Sequence, residues 1–423
     1  MPSKYLNEHC ACRTFDSDVL KNKLESDGLL QGLYKEIVES RPNLFSATTV
    51  FLSSHELEKM KATIKAIEEM TLNPLFREKI FERSPELAKK NQNTSGVFMG
   101  YDFHLGPDGP RLIEVNTNAG GALLNLELAR AQQECCQGME VFFKYQEDLA
   151  GMEKTFIEMF KAEWKKLKGN SPLGLIAIVD DKPHEQYLYP EFQLFQRLFT
   201  KFGIESVIVD PCELTFRNGK LWYLEKEVQM VYNRLTDFYL EAPANTAIRE
   251  AFLSDAIVLT PSPYHHALYA HKLNLVELSS KECLAEFEIS NDTRESLLSG
   301  IPFTQAVSEA KAAQLWESRK SLFFKPVAGY GGKATYRGEK ITRKVWGEIL
   351  NSSYVAQDLI APGKRRIQQG EELTDLKFDI RAYTYQGEIQ IIAARLYSGQ
   401  TTNFRTSGGG FAPVFVMNNL QDC

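Results

Sequence analysis

The amino-acid sequence predicts a mixed α/β fold, and three stretches of the chain lead to this prediction. Residues 173–260 alternate apolar strands with an amphipathic helix, a βαβ pattern that indicates a small parallel sheet covered by helices. Residues 321–399 alternate short strands with glycine-containing turns. Residues 1–95 instead place apolar side chains three and four positions apart, which is typical of helices.

The βαβ stretch is predicted in more detail from its apolar runs. An apolar stripe over residues 188–202 indicates a helix, and residues 217–220 suit a hairpin turn. No Gly-x-Gly-x-x-Gly turn follows the first strand, so the pattern does not indicate a dinucleotide-binding domain. The predicted strands are 173–180, 204–210, 227–234 and 256–259.

A second β-hairpin is predicted earlier in the chain, where two acidic side chains face each other. Residues 107–109, Pro-Asp-Gly, suit a three-residue loop, because proline fixes φ and glycine allows a positive φ. A loop of this length pairs Gly106 with Pro110. The same register places Asp102 directly opposite Glu114.

This register predicts a magnesium site. Glu114 and Asn116 share one face of their strand, because side chains alternate along a strand. Carboxylates that oppose each other across a hairpin repel. A divalent cation would remove that repulsion and bind the oxygens of Asp102, Glu114 and Asn116. The alternative is an exposed hairpin whose acids are solvated.

A possible phosphate-binding loop follows an apolar strand that ends at Lys325. Gly329, Gly331 and Gly332 come directly after it. Glycines let backbone N–H groups approach phosphate oxygens, and the lysine adds positive charge. No Gly-Lys-Ser/Thr sequence closes the loop, so it is not a Walker A sequence. An ordinary glycine-rich turn is the alternative.

Two arginines and an aspartate are predicted to meet on neighbouring strands. Asp379 and Arg381 alternate along one strand and share a face, and Arg395 comes from the strand paired with it. Such a set can form a structural ion pair or can bind anionic oxygens. The glycine loops nearby in the sequence favour the second interpretation.

The patterns divide the chain into four regions, and the sequence Gly-Asn-Ser-Pro at residues 169–172 marks one boundary. A hairpin turning at residues 386–387 and a glycine-rich loop at 401–410 lie in the last region. The predicted regions are a helical N-terminal region at 1–96, the metal-binding hairpin with a long helical stretch at 97–170, the parallel-sheet region at 171–264, and a strand-rich region at 265–423.

Composition excludes several classes of function. The net charge of -6 gives no reason to expect binding to nucleic acid or to an anionic membrane. No apolar run approaches the roughly 20 residues that span a bilayer, and the first residues lack the apolar core of a signal peptide. The seven cysteines, with Cys135 and Cys136 adjacent, fit a reducing cytoplasm. His9, Cys10 and Cys12 have no second pair at zinc spacing.

Taken together and in this order, the motifs resemble the circularly permuted ATP-grasp ligases, such as eukaryotic-type glutathione synthetase and glutathionylspermidine synthase. In ordinary ATP-grasp chains the Glu-x-Asn metal pair comes last, whereas here Glu114-Val115-Asn116 precedes Lys325. The resemblance covers residues 97–423. The matching stretches are the metal hairpin at 99–121, the middle substrate domain at 180–211 and 231–239, the lysine–glycine loop at 323–340, and the terminal loop at 408–415.

The resemblance implies a permuted ATP-grasp fold with an inserted Rossmann-like, parallel-sheet substrate domain. It also implies roles for individual residues. Lys272 is the weaker of the two nucleotide lysines, because a surface lysine on a helix is the alternative. The implied magnesium ligands are Asp102, Glu114 and Asn116; the nucleotide contacts are Lys272, Lys325, Gly329, Gly331, Gly332, Gln357, Asp358, Leu359 and Ile360; the catalytic groups are Lys325, Arg381 and Arg395; and the substrate contacts are Asn118, Arg234, Asn403 and Arg405.

The sequence departs from the family pattern at two positions. The family has an arginine two residues before the metal-binding aspartate, where it holds the substrate carboxylate, and this chain has Gly100. Glutathione synthetase has an acid in its glycine loop where this chain has Gly329. Either Arg395 or Arg405 therefore takes over the carboxylate, or the substrate differs in shape.

The resemblance implies an ATP- and Mg²⁺-dependent ligase that joins a small carboxylate substrate to an amine through an acyl phosphate. His104 could assist the amine proton, although a structural histidine is the preferred interpretation. A phosphotransferase and a nucleotide-binding pseudoenzyme that acts as an interaction protein are the alternatives. We expect a cytoplasmic protein without nucleic-acid or membrane partners, and the resemblance is compatible with a homodimer.

Overall fold

The structure is a computed structural model that describes residues 2–132, 143–144, 149, 151–329 and 332–417. Its strands, numbered in chain order, are β1 (Val50–Ser53), β2 (Met99–Gly106), β3 (Gly109–Asn116), β4 (Phe143–Lys144), β5 (Leu175–Val179), β6 (Glu205–Val209), β7 (Leu214–Arg217), β8 (Lys220–Tyr223), β9 (Lys226–Asn233), β10 (Val258–Thr260), β11 (Thr304–Ala306), β12 (Leu322–Pro326), β13 (Tyr336–Arg337), β14 (Tyr354–Asp358), β15 (Gly363–Gln369), β16 (Glu372–Tyr385), β17 (Glu388–Tyr397) and β18 (Gly410–Met417).

Helices cover the sheets and connect them. A π-helical segment, His266–Ala270, extends α10. The α-helices are α1 (Pro2–His9), α2 (Ser17–Ser26), α3 (Leu33–Ser40), α4 (Ser54–Leu72), α5 (Pro74–Glu82), α6 (Ala122–Arg130), α7 (Met152–Lys168), α8 (Tyr189–Lys201), α9 (Thr246–Leu253), α10 (Pro263–His265), α11 (Asn274–Ser279), α12 (Lys281–Leu284), α13 (Asn291–Gly300), α14 (Ala312–Ser318) and α15 (Arg343–Leu350).

The largest sheet combines strands from both ends of the chain. Its order is β1-β18-β17-β16-β2-β3, with β15 also paired to β16 and β4 to β18. The long strand β16 is central, because one end pairs with β15 and the other with β2. The early hairpin of β2 and β3 therefore lies beside β16, a strand about 280 residues later in the sequence.

A second sheet has the predicted βαβ arrangement. Strands β5, β6, β9 and β10 run parallel, and the β7–β8 hairpin adds an antiparallel edge. Helix α8 connects β5 to β6, as the apolar stripe over residues 188–202 predicted. A third, antiparallel sheet has the order β11-β14-β12-β13 and contains the predicted lysine–glycine segment.

Apolar clusters on both faces of the largest sheet hold these units together. On one face, Tyr383 and Phe411 pack in a cluster that also includes side chains of α6, α7 and α8 and of the parallel sheet. On the opposite face, Ile380 and Ala394 pack against α4, α5 and α13. Because both faces are covered, the polar groups of the sheet are enclosed between layers and must find partners there.

The β2–β3 hairpin turns more tightly than the sequence predicted. Gly106 pairs with Gly109 rather than with Pro110, so the loop consists of Pro107 and Asp108. Gly109 has a φ of 115°, which glycine adopts without steric cost. The prediction of a three-residue loop was therefore wrong.

At the other end of the hairpin the register is nevertheless the predicted one. Asp102 pairs with Glu114, but the next pair is Phe103 with Leu112, so Ile113 is the extra residue of a β-bulge. This extra residue compensates for the shorter loop. The predicted opposition of Asp102 and Glu114 is confirmed.

Two strands of the largest sheet were missed by the sequence analysis. Strand β1 lies in the region predicted as helical, and it pairs in parallel with β18. Strand β4 interrupts the long helical stretch predicted after the hairpin, and it also pairs with β18. Both are short, so their apolar residues do not show the two-residue alternation that identifies a strand. Among the described residues, no helix has the length and apolar character needed to cross a membrane.

A buried carboxylate on α7 ties three parts of the chain together. Glu163 is fully buried and accepts hydrogen bonds from the backbone N–H groups of Ser95 (2.8 Å) and Gly96 (3.0 Å). It also accepts from the hydroxyls of Thr260 (2.9 Å) and Tyr385 (3.0 Å). These donors belong to the segment before β2, to β10 and to β16.

We expect the substitution Glu163→Ala to lower the free energy of unfolding by about 2–4 kcal/mol, because it leaves several buried donors without an acceptor. Glu158→Ala is the matched control, since Glu158 lies on the same helix in an exposed pair with Lys161 and should change stability by less than about 0.5 kcal/mol. Urea denaturation of both variants measures the difference. Equal effects would show that Glu163 does not have this linking role.

Candidate functional site

The register of the largest sheet brings the predicted polar side chains onto one face. Asp102 pairs with Glu114 on one side and with Arg381 on the other, and Asp379 pairs with Arg395. Side chains of directly paired residues point to the same face of a sheet. The sheet therefore assembles a polar face, formed by Asp102, Glu114, Asn116, Asp379, Arg381 and Arg395.

The carboxylate of Asp102 is the centre of this polar face. It is fully buried and accepts two hydrogen bonds from Arg381, from Nε to Oδ1 and from Nη2 to Oδ2, each of 2.6 Å. Its Oδ2 also accepts from Nη2 of Arg395 (2.8 Å) and from Nδ2 of Asn116 (3.0 Å). Burial alone would raise the pKa of Asp102, but the two arginine charges outweigh burial and lower its pKa to about 2.

Arg395 lies between two aspartates. Its Nε donates to Asp379 Oδ1 at 2.7 Å, while its Nη2 donates to Asp102. The hydroxyl of Thr402, from the terminal glycine-rich loop, donates to the other oxygen of Asp379. Sequence reasoning did not identify Thr402, because a lone threonine in a polar loop carries no recognisable pattern. The terminal loop is thus bound directly to the polar face.

Lys325 extends from β12 towards the β-bulge of the hairpin. Its Nζ donates to the carbonyl of Ile113, the bulged residue, at 2.7 Å and to Oε1 of Gln357 at 2.9 Å. Complete burial lowers the pKa of Lys325 to about 8, although the negative charge of Glu114 opposes this effect. Gln357 was predicted only as part of the nucleotide strand, and its role as the partner of Lys325 was missed.

Lys272 is buried, and the alternative of a surface lysine is therefore excluded. The side chain is 7% exposed, and its Nζ donates to the carbonyl of Gly329 at 2.7 Å. Burial lowers its pKa, and Glu114 is the carboxylate that opposes this shift. Both predicted nucleotide lysines therefore lie near Glu114, and Lys272 contacts the predicted phosphate loop.

The two glycine-rich loops lie against each other. A Cβ added to Gly332 would be 3.1 Å from Cβ of Thr401, in the terminal loop. Gly332 has a φ of 68°, a conformation that favours glycine. Gly329 donates its N–H to the carbonyl of Pro326 at 3.3 Å. The predicted contact Gly331 lies outside the described residues.

In the strand predicted to meet the adenine, part of the backbone is hydrogen-bonded to other segments of the protein. The N–H of Asp358 donates to Phe303, and the N–H of Leu359 donates to Ser321, both at 2.8 Å. The carbonyl of Ile360 lies 2.8 Å from Nδ1 of His104. Burial lowers the pKa of His104, and this histidine links the hairpin to the strand, which supports the structural interpretation.

The predicted substrate contacts form two neighbouring pairs, Asn118 beside Arg234 and Asn403 beside Arg405. Nδ2 of Asn118 donates to the carbonyl of Leu235 at 2.6 Å. Asn403 stabilises its own loop by accepting hydrogen bonds from the N–H of Arg405 and the hydroxyl of Thr406. Arg405 is exposed.

Arg234, the remaining predicted substrate contact, is buried below the loop that follows β3. Its Nη1 donates to the carbonyl of Ala119 at 3.3 Å, and its Nη2 lies 3.7 Å from Oε2 of Glu191. Glu191, which the sequence analysis did not identify, also accepts from the N–H groups of Gly121 and Leu123 at the start of α6. A carboxylate at the N-terminus of a helix is stabilised by the helix dipole. Arg234 therefore has a partner within the protein.

The space beside Gly100 is filled by other side chains. A Cβ at this position would lie 2.5 Å from Cβ of Ala119 and 3.3 Å from Nε of Arg381. A longer side chain could not be placed there without moving both. The position has no room for the arginine expected from the resemblance, and Arg381 from the neighbouring strand occupies the adjacent space.

The predicted magnesium ligands differ in the oxygens that they offer. Asn116 donates Nδ2 to Glu114 at 3.3 Å, and its Oδ1 accepts no hydrogen bond from the described residues. Oε2 of Glu114 likewise has no partner among them, whereas both oxygens of Asp102 accept guanidinium groups. In the described part of the chain, no group of three or more His, Cys, Asp or Glu residues is arranged to hold a metal ion. Glu114 and Asn116 fit a magnesium ion that takes its other ligands from phosphate oxygens and water.

The mixed α/β architecture is similar to that of a solved glutathione synthetase-like protein. The chain is similar to a glutathione synthetase-like effector of Globodera pallida in its apo form, with a TM-score of 0.55 and 13% identity over 88% of this chain and 90% of that one. A candidate gamma-glutamylcysteine synthetase of Methylobacillus flagellatus has a TM-score of 0.47 and 10% identity over 82% of this chain and 83% of that one. No protein-family model and no curated protein matches the chain. The similarity to the Globodera pallida protein shows a shared fold only.

We expect Gly100→Ala to destabilise the protein by about 1–3 kcal/mol, because the added methyl group overlaps Ala119 and crowds Arg381. Gly347→Ala is the matched control. Gly347 lies within α15 with no atom close to an added Cβ, so alanine there should stabilise the helix by about 0.5–1 kcal/mol. Opposite signs in thermal or urea unfolding would support the close contact, and a neutral Gly100→Ala would contradict it.

Proposed function

We propose that the protein is an ATP-dependent ligase that joins a carboxylate to an amine through an acyl phosphate. One observation carries this proposal: four cationic side chains converge on one polar face beside two glycine-rich loops. The four cations are those of Lys272, Lys325, Arg381 and Arg395. Three carboxylates lie near them, those of Asp102, Glu114 and Asp379. This set suits the stabilisation of phosphate and carboxylate oxygens.

The cations divide into two groups with different roles. Lys325 and Lys272 lie near Glu114, and Lys272 contacts the phosphate loop, so both lysines would neutralise phosphate oxygens of ATP. Arg381 and Arg395 keep their Nη1 groups without partners among the described residues, and these N–H groups would hold the reacting carboxylate or the phosphoryl group during transfer.

Glu114 and Asn116 would hold a magnesium ion, which would supply further neutralisation of the β- and γ-phosphate charge. Oε2 of Glu114 and the amide oxygen of Asn116, which accept no hydrogen bond from the described residues, support this assignment. The nearby lysines would then share one phosphate group with these residues.

Closure of the glycine-rich loops would exclude water, which hydrolyses acyl phosphates. In the terminal loop, Phe404 stacks on Tyr187 of the parallel-sheet region, with ring centroids 5.1 Å apart and planes at 27°. The ring centroids of Phe404 and Phe411 are 4.9 Å apart. These contacts, with Thr402 on Asp379, support a loop that covers the polar face.

We further propose a permuted ATP-grasp arrangement in which regions 97–170 and 265–423 form one unit and 171–264 is a Rossmann-like insert. The pairing of β2 with β16 supports this arrangement, because it unites the metal hairpin with strands from the end of the chain. We also propose a cytoplasmic enzyme that acts on small carboxylates and amines and that pairs as a homodimer.

The proposal predicts phosphate release that requires both substrates. Purified protein would be incubated with ATP, Mg²⁺ and pools of amino acids or small peptides as acids and amines, and inorganic phosphate would be measured. Release that needs an acid and an amine together supports the ligase. Transfer with the acid alone would indicate a phosphotransferase, and nucleotide binding without turnover would indicate a pseudoenzyme.

In the same assay Glu114→Ala should reduce turnover by at least about a hundredfold, because Glu114 holds the magnesium ion and opposes two lysines. Asp108→Ala, in the exposed turn of the same hairpin, should leave turnover unchanged. A Glu114→Ala variant with wild-type activity would refute the metal assignment.

The pKa of Lys325, about 8, predicts that ATP affinity depends on pH. Lys325 is charged at pH 7 and loses its proton as the pH rises through 8. If the charged form binds ATP, the dissociation constant should rise about tenfold between pH 7 and pH 9. Titration calorimetry with Mg-ATP measures this change, and Lys325→Ala should bind more weakly at pH 7 and show a flatter pH profile. Equal pH profiles would contradict the prediction.

A further inference from the structure

We propose that Asp102 is not a metal ligand in this protein but a positioning residue that anchors Arg381 and Arg395, so that both arginines face the substrate's oxyanion in a fixed orientation. This inference rests on the proposed ligase function and deepens it, because it changes the role of a residue that the resemblance assigns to magnesium. It is carried by the hydrogen bonds of one buried carboxylate.

Both oxygens of Asp102 are hydrogen-bonded within the protein, Oδ1 to Nε of Arg381 and Oδ2 to three further N–H groups. A carboxylate has about four lone-pair positions, and Asp102 accepts four N–H groups, two from Arg381 and one each from Arg395 and Asn116. A metal ion at Oδ2 would displace one of three donors, and an ion at Oδ1 would lie beside Nε of Arg381. It would then lie beside the positive charges of both arginines, which would repel it.

The geometry of the arginines explains why they need an anchor. Arg381 makes a two-pronged contact with Asp102, and Arg395 bridges Asp102 and Asp379. Their side chains are only 9% and 11% exposed. Buried guanidinium groups must be paired. Nε and one N–H of Nη2 are bound in each case, so both N–H groups of Nη1 and one of Nη2 remain on each arginine.

Gly100 provides a second, independent observation. In the resemblance, an arginine at this position holds the substrate carboxylate, but here Ala119 and Arg381 leave no room for any side chain. Arg381 reaches this space from β16 and is held there by Asp102. Arg381, held by Asp102, therefore supplies from the neighbouring strand the positive charge that Gly100 cannot supply.

The first test is a double-mutant cycle on protein without nucleotide. Asp102→Asn, Arg381→Gln and the double variant would be compared by thermal unfolding. If Asp102 anchors Arg381, Asp102→Asn should lower Tm by roughly 5 °C and the double variant should lose much less than the sum of the two single losses. The control cycle uses the exposed pair of Asp375 and Arg366. Asp375 lies on β16, the strand of Arg381, and here the losses should be small and additive. Additive losses at Asp102 and Arg381 would overturn the anchor.

The second test measures the Mg²⁺ dependence of ATP binding. For wild-type protein and each variant, a fluorescent ATP analogue would be titrated at increasing Mg²⁺ concentrations. Glu114→Gln should raise the half-saturating Mg²⁺ concentration about tenfold or more, while Asp102→Asn should change it by less than about twofold. An equal rise in both variants would overturn the proposal, because Asp102 would then be a ligand.

The design remains informative if a variant does not fold or if ATP does not bind. Should Asp102→Asn fail to fold, the double variant with Arg381→Gln removes both charges together. An unchanged Mg²⁺ midpoint in that variant supports the proposal, and a tenfold rise refutes it. If wild-type protein binds no ATP, the ligase proposal fails, and the nucleotide-free cycle alone then decides whether Asp102 anchors Arg381.

Discussion

The central constraint on this structure is the pairing of the buried Asp102 carboxylate with Arg381 and Arg395. These residues come from three adjacent strands, β2, β16 and β17, and they lie in a layer that is covered on both faces. An unpaired charge in that layer would cost several kcal/mol. The register of the sheet therefore places the opposite charges side by side, and their hydrogen bonds fix the direction of each guanidinium. The remaining parts of the polar face are arranged around these two fixed cations.

A cation-rich face can remain folded because its positive charges are divided between separate partners. Asp102 and Asp379 neutralise the arginines, while Lys325 and Lys272 use backbone carbonyls, a glutamine oxygen and the field of Glu114. The lysines are therefore less completely compensated than the arginines, which is consistent with the lowered pKa of both. An anionic ligand would complete the compensation at the lysines.

Local chemistry in the sequence was sufficient to predict the hairpins, the βαβ strands and the polar residues that share a strand face. Long-range pairing was not predictable in this way. Strand β1 is only four residues long, and its partner β18 is more than 350 residues away, so no local pattern identifies it. The burial of Arg234 and Lys272 depends on contacts with Glu191 and Gly329, which are distant in sequence. The register of Asp102 and Glu114 was predicted correctly from a wrong loop length, because the bulge at Ile113 compensates for the missing loop residue.

This compensation has a consequence for how the hairpin could change during evolution. The two-residue turn and the bulge together preserve one register, so an insertion in the turn could be absorbed by losing the bulge. Asp102 would still face Glu114, and the sheet would remain intact. The carbonyl of Ile113, however, would return to the regular ladder of strand hydrogen bonds and would no longer be directed at Lys325. A change of chain length at the solvent-exposed end of the hairpin would thus alter the surroundings of a buried ammonium group without replacing any residue that contacts it.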